Sequence, residues 1–515
     1  MAEKNTEADL PGFRHLEMSS ADLKRDSTSD NLTALKTDIR EIANIEVTDE
    51  QNRRVLRKID RCLLPIMGIA FMLQFLDKAA LAASTLLGLL DPTTGGIALV
   101  GSQFAWCSSI FYFGYLLFSF PSAYLIVRLP IGKYLASVVI LWGVILMCTA
   151  ACKSFSALMA QRFFLGVAEA AITPGFSLVT GMFYTRKEQP LRQGAWFIGN
   201  CLALILGGLI TYGVKNIPNP PLPHWKLLFL FEGAATCAYG VFMIFVLPDS
   251  VMTAWFLNHE DRTIALARTL KNKTGVLDNG VFKWGQFNEA FRDPQTWLIA
   301  LYNVAINLPN GALNTFQPLI VNGLGFNTLT SILLQMPTGG NEIVFLLITS
   351  SLASLLPQAR VLIMIFNCVV AMVGMVLVYS LRSQAGQMTG VVFAATYAIN
   401  IPICLSLITS NVSGFTKRST VSAIVFAMYC VGNIAGPQFY LERQKPRYQM
   451  GLISSLAGYA FGITSLICLY TYYRYENRRR DRVYGSESEV NTSQELTDEL
   501  SNETDRTITS FRYMM

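Results

Sequence analysis

The sequence predicts an all-α polytopic membrane protein with twelve transmembrane helices arranged as two six-helix bundles. Three observations carry that expectation. Of 515 residues, 52% are hydrophobic and only 15% charged, whereas a soluble domain carries about 25% charged residues. The apolar residues are gathered into runs of about 20, the length a helix needs to cross the hydrocarbon core. The charges crowd into residues 1–61, 249–293 and 474–512, leaving the stretches between them almost bare.

The runs fall at 63–83, 101–125, 134–152, 157–183, 194–214 and 226–247, then at 295–320, 330–353, 361–380, 389–411, 419–440 and 450–473. An even number of spans puts both termini on one side, and the positive-inside rule selects the side. With the N-terminus inside, the inner connections hold Arg53, Arg54, Arg57, Lys58, Arg61, Arg128, Lys133, Arg192, Arg360, Lys417, Arg418 and the Arg474–Arg482 cluster. The outer ones hold far fewer basic residues, among them Lys153, Lys215 and Arg382. The net charge of +6 is therefore a topology signal rather than a nucleic-acid footprint. Residues 1–61 are expected as a polar cytoplasmic tail, without the basic-then-apolar pattern of a cleaved signal. Residues 62–247 are expected as the first bundle, 248–294 as a cytoplasmic central loop, 295–473 as the second bundle and 474–515 as a disordered cytoplasmic tail. From Gly485 onward the chain is rich in Ser, Glu, Asn and Thr with no apolar period. Within the central loop, Thr253–Leu270 carries an amphipathic pattern that suits a helix lying along the membrane face or under the bundle. The sequons at Asn31, Asn272, Asn411, Asn491 and Asn502 all fall on expected inner segments, consistent with this topology. The ten cysteines, lacking any CxxC pair, read as small hydrophobes rather than metal ligands or disulfides.

Few charged residues enter the spans, and each is a functional candidate because a charge there costs about 2.5–3.5 kcal/mol. Asp77 and Lys78 lie in the first span, Arg162 and Glu169 in the fourth, Glu232 in the sixth and Glu342 in the eighth. Depth along the helices puts Asp77 and Arg162 within reach of one another, with Lys78 on a different face. Glu169 follows Arg162 about two turns deeper, beside the small residues Ala170, Thr173 and Gly175. Such carboxylates suit proton loading and release; the Arg162 and Glu169 pattern equally suits an ion pair that only ties helices. On the seventh span Asn303, Asn307, Asn310 and Asn314 form one polar stripe at helical spacing, continued by Gln317. Tyr397 and Asn400 sit near the middle of the tenth. These amides and the phenol suit a polar solute or interhelical hydrogen bonds. Ile172-Thr-Pro174 in span four and Ile401-Pro402 in span ten place helix breakers at corresponding positions of the two halves, as in transporters built from repeats. A membrane enzyme is disfavoured, since His15, His224 and His259 all fall outside the spans.

The chain resembles the major facilitator superfamily, and within it the fungal allantoate permease branch of the anion:cation symporters. The likeness rests on Leu76-Asp77-Lys78, on Arg162-Phe-Phe-Leu-Gly166-Val-Ala-Glu169 through Pro174-Gly175, and on Leu247-Pro248-Asp249 followed by Phe256-Leu257, Glu260 and Arg262. Phe291-Arg-Asp293-Pro294-Gln-Thr-Trp297, Gly323-Leu-Gly325-Phe326 and Gly432-Asn433-Ile-Ala-Gly436-Pro437 extend it across residues 50–475. Two departures stand out. The loop between spans two and three, Val127-Arg128-Leu-Pro-Ile-Gly132-Lys133, lacks the family's acidic residue, so the inner gate latch is weaker or built otherwise. Lys78 stands where the family usually has Arg, without the two-pronged carboxylate grip of that residue.

The resemblance implies two bundles rocking about a cavity lined by spans one, four, seven and ten. The expected function is secondary active transport of a small organic anion or polar metabolite (a vitamin, ureide, carboxylate or amino-acid-like solute) by alternating access, coupled to a proton. Lys78, Arg162, Asn307, Asn310, Asn314, Tyr397 and Asn400 are the expected substrate residues, and Asp77, Glu169 and Glu342 the proton-coupling ones. No cofactor or metal is expected. The protein is expected to act as a monomer in the plasma membrane bilayer. Export of a pathway product, or nutrient sensing without transport, are the competing readings.

Overall fold

The structure, a computed structural model, describes residues 47–185, 188–270, 282–445, 447–485, 503–509 and 511–515. It is all-helical among those residues. The expectations for residues 1–46 and 486–502, including their sequons, lie outside the described residues, as does Asn272.

Among the described residues, eleven helical stretches are long and apolar enough to cross a membrane. The remaining expected span, the seventh, is the helix Pro294–Gly323 of 30 residues. Its asparagine stripe lowers its hydropathy, yet at 1.5 Å per residue it is about 45 Å long, ample for a crossing. Asp293 caps it by accepting from Gln295 N at 3.2 Å. The first helix, Asp49–Leu86, starts at a reciprocal cap between Thr48 and Gln51. Residues 49–61, expected as tail, are helical because Val55, Ile59 and Leu63 continue the apolar face at four-residue spacing and are buried.

Against that extension packs the central helix His259–Leu270, which accounts for the second half of the expected amphipathic stretch. Trp255 and Phe256 precede it in turns, where Phe256 meets Phe183 of span four at 6.3 Å. Asp261, 1% exposed, accepts from Arg54 at 2.9 Å and from Lys58. Burial works to raise the Asp261 pKa, and the two cations outweigh it and hold its carboxyl below the usual range. A depressed carboxyl stabilises the fold above its unfolded pKa, and that contribution is lost as pH falls through the folded one. Asp261→Asn is therefore expected to cost about 1.5–3 kcal/mol at neutral pH. The difference should close as pH is lowered below the ordinary carboxylate range; thermal unfolding of both proteins across pH measures it.

An acid reaches the loop between spans two and three from elsewhere in the chain. Asp249, just after the sixth span, accepts from Gly132 N at 2.9 Å and Lys133 N at 3.2 Å at the start of the third. A Cβ at Gly132 would collide with the Leu247 carbonyl, so glycine is what lets the two chain segments meet. Within the bundles the same device brings whole helices together. A Cβ at Gly166 in span four would strike the Phe111 carbonyl of span two, and one at Gly436 would strike the Leu308 carbonyl of span seven.

Both expected breaks are present. Span four is helical over Phe155–Glu169 and again over Ile172–Phe183. Pro174 has no N–H to offer the Ala170 carbonyl, so the helix steps immediately after Glu169. Span ten is helical over Gln384–Ala394 and Asn400–Asn411, with the tighter turn Ala395–Ile399 between them. Pro402 has the corresponding effect there.

The bundles meet where spans one, two and five face seven, eleven and eight. At the end away from the termini they are stitched together. Ser108 and Thr315 hydroxyls lie 2.7 Å apart, Ser109 donates to the Ile434 carbonyl at 2.8 Å, and Gly101 N donates to Glu442 at 2.8 Å. Those contacts close that end of the interface.

The expected disorder after residue 473 is corrected for the described part of the tail. The last helix runs Gln449–Tyr484, and residues 503–509 and 511–515 fold back beneath the second bundle, with Asp505 and Tyr513 fully buried. A polar composition without period signals no core, but it is silent on partners that other segments provide.

Candidate functional site

Spans one and four build a charged centre in the first bundle. Lys78 Nζ lies 3.4 Å from Glu169 Oε2 and over the rings of Phe111 and Tyr115, at 5.3 and 5.5 Å from their centroids. The Lys78 side chain is 21% exposed and Glu169 fully buried, so the pair sits at the edge of the central interface with the carboxylate on its dry side.

The partners differ from the expected ones. Asp77 and Arg162 form no direct ion pair: both Asp77 oxygens, and Nε and one terminal nitrogen of Arg162, are buried without a hydrogen-bond partner. Successive residues of a helix point about 100° apart. Lys78 thus turns to span four and the interface, while Asp77 turns into the first bundle toward Trp142, with Glu232, Glu169 and Arg162 as its charged neighbours. Arg162, 2% exposed, stands over the Phe229 ring at 5.9 Å. Glu232, which span six contributes 3% exposed, belongs to this centre, although its place in span six does not by itself reveal it as a neighbour of Asp77. Three carboxylates, Asp77, Glu169 and Glu232, thus share two cations, Lys78 and Arg162.

The second bundle supplies a neutral centre. Asn310 donates to Asn307 at 3.2 Å and to Asn433 at 2.8 Å, and its own oxygen accepts from Tyr397 at 2.9 Å and Asn314 at 3.0 Å. Asn433 returns a bond to Asn307 at 3.1 Å. Asn433 was missed as a site residue from sequence because it stands alone in span eleven. The signal available was its flanking Gly432 and Gly436, which let that span press against the seventh. Asn303 donates to its own helix at Ile299.

Asn400 does not join this group. Its amide is committed to the ninth span, accepting from Asn367 at 2.9 Å and donating to the Met364 carbonyl at 3.0 Å. Glu342, 5% exposed, lies across the interface from Cys201 of span five, apart from the other named carboxylates.

The two centres are connected. From Lys78 the contact path runs over Tyr115 to Phe426 at 5.2 Å, to Tyr429 at 6.1 Å, and through the Tyr429 carbonyl to Asn433 at 2.9 Å. A cation and carboxylate on one wall and a set of amides with a phenol on the other face a shared aromatic lining.

Helices in two bundles around such a polar centre define a membrane transporter that works between two sides of a bilayer. The chain belongs to the Major Facilitator Superfamily, whose family model matches residues 66–437, and it is a secondary transporter of small molecules rather than an enzyme. It is 35% identical over 468 residues to an uncharacterized transporter of Schizosaccharomyces pombe, covering 90% of this chain and 88% of that protein. It is 30% identical to the allantoate permease of Saccharomyces cerevisiae, covering 92% and 89%, and 32% identical to a thiamine pathway transporter of the same yeast, covering 89% and 87%. Its fold is similar to the crystal structure of a bacterial homolog of the human lysosomal transporter Spinster in an inward-facing, unoccupied conformation. That likeness has a TM-score of 0.55 at 15% identity, covering 83% of this chain and 95% of the other.

Proposed function

We propose that the protein carries a small organic anion together with a proton by alternating access, acting as a monomer in the plasma membrane with both termini in the cytoplasm. The observation that carries this reading is the Lys78–Glu169 pair at the edge of the interface, backed by the surplus carboxylate of the buried centre. A net negative charge in a dry site is costly to increase, so an anion enters this centre only together with a proton. When Glu169 takes that proton it releases Lys78, whose positive charge then meets the anion. When the anion leaves, Lys78 returns to Glu169 and the proton departs. Charge in the centre is conserved through the cycle, because a proton and an anion enter and leave together. Asn307, Asn310, Asn314 and Tyr397 orient the polar part of the solute from the facing wall, and the breaks in spans four and ten give those walls their hinges. The similarity to a permease for allantoate, a ureide carboxylate, supports that substrate class.

The test is thermal unfolding of the purified protein against a panel of ureides, vitamins, carboxylates and amino acids. A ligand of the folded state at about 100 times its Kd stabilises by about 2.7 kcal/mol. A carboxylate from the panel is expected to raise the midpoint more at mildly acidic than at mildly alkaline pH. Stabilisation by uncharged solutes alone would overturn the anion assignment.

A further inference from the structure

Beneath the second bundle, at the end that carries the termini, residues 503–509 and 511–515 are held by a dry ionic cluster. Lys417, at the start of span eleven, lies 2.6 Å from Asp293, 2.8 Å from Asp505 and 2.9 Å from Glu289. Lys417, Asp293 and Asp505 side chains are all 0% exposed. The second Asp505 oxygen accepts from Tyr513 OH at 2.8 Å and from Gln295 at 3.0 Å. Tyr513 stacks on Tyr473 of the last helix, with centroids 5.0 Å apart and planes 11° off parallel. Arg480 donates to the backbone carbonyls of Asp505 and Phe511. The segment's far end grips span ten: Asn411 donates to the Met514 carbonyl at 2.7 Å, and Met514 N donates back to Asn411 at 2.8 Å.

Asn411 is the last residue of the half-helix Asn400–Asn411, whose other end begins at the irregular turn Ala395–Ile399 that carries Tyr397. The tail therefore fastens, together with Arg360, which donates to Ser410 at 2.9 Å, the inner end of the half-helix that leads from the turn at Tyr397 and the neutral centre. We propose that the docked segments 503–509 and 511–515 are a regulatory strap: docked, they hold Asn400–Asn411 in place, and undocked they free it to swing about the turn at Tyr397. An ionic anchor suits a detachable strap. A buried charge that loses one partner is left at high cost, while the same charges are well solvated once the segment leaves, so the docked and released forms are discrete alternatives.

The test is hydrogen exchange read by mass spectrometry on the full-length protein in lipid nanodiscs, with alkylation of Cys404 as a second readout. Cys404 lies in the fastened half-helix and is 5% exposed. Asp505→Asn and Tyr513→Ala act on the anchor from different positions, and Thr509→Ala, at an exposed residue, is the control. Both anchor variants are expected to raise exchange across 503–515 and across 400–411 by about tenfold, with faster Cys404 labelling, and the control to leave all three unchanged. If Asp505→Asn does not fold, Tyr513→Phe, which removes only the hydroxyl bound to Asp505, carries the test. Rapid exchange of 503–515 in the unaltered protein would overturn the strap, as would loosening of the tail with 400–411 and Cys404 unchanged.

Discussion

Glu169→Gln is expected to abolish accumulation driven by a pH gradient while sparing exchange of substrate for substrate. Glutamine keeps the size and hydrogen-bonding capacity of the side chain but cannot take up the proton, and Lys78 is left permanently free to meet an anion. Gradient-driven uptake into proteoliposomes should fall by about 100-fold, the order seen when a positioned proton-transfer group is lost, with counterflow little changed. The selective loss separates this outcome from misfolding, which would remove both activities. If pH-driven accumulation persisted, the proton would have to travel by another carboxylate, and Asp77 and Glu342 are the remaining candidates among those singled out by sequence.

Lys78→Met is expected to be the most destabilising single change in the charged centre. It leaves the fully buried Glu169 without the cation 3.4 Å away, and breaking a buried pair from one side costs about 3–5 kcal/mol. The double variant Lys78→Met with Glu169→Gln removes both charges at once and should recover most of that loss, because no unpaired charge remains. Thermal unfolding of the two single variants and the double one gives the coupling directly. Equal destabilisation of the single and double variants would show that Lys78 acts through packing against Phe111 and Tyr115 rather than through Glu169.

Much of the fold is legible in the sequence because a membrane enforces simple rules. Span positions follow from hydropathy, and the steps after Glu169 and around Tyr397 follow from Pro174 and Pro402. The amide stripe of the seventh span follows from helical spacing. Pairing is harder to read. Depth puts Asp77 and Arg162 at one level, but a single residue of rotation decides whether Asp77 or Lys78 faces span four, and depth contains no rotation. Asn400 is likewise at the right level and on the wrong side, turned to Asn367. The tail is illegible for a different reason: Asp505 is buried by Lys417, Asp293 and Glu289, residues far away in the chain, so no local pattern around Asp505 foretells its burial.

The hydrogen bonds among Asn307, Asn310, Asn314, Asn433 and Tyr397 have a kinetic consequence. Each of these side chains already has a partner, so under the proposed cycle an arriving solute would exchange bonds rather than add them, with a small net gain per contact. The proposed solute would be held only shallowly by this wall. A carrier must let go of its cargo on the far side as readily as it took it up, and a wall that heals itself when the solute departs shortens that step.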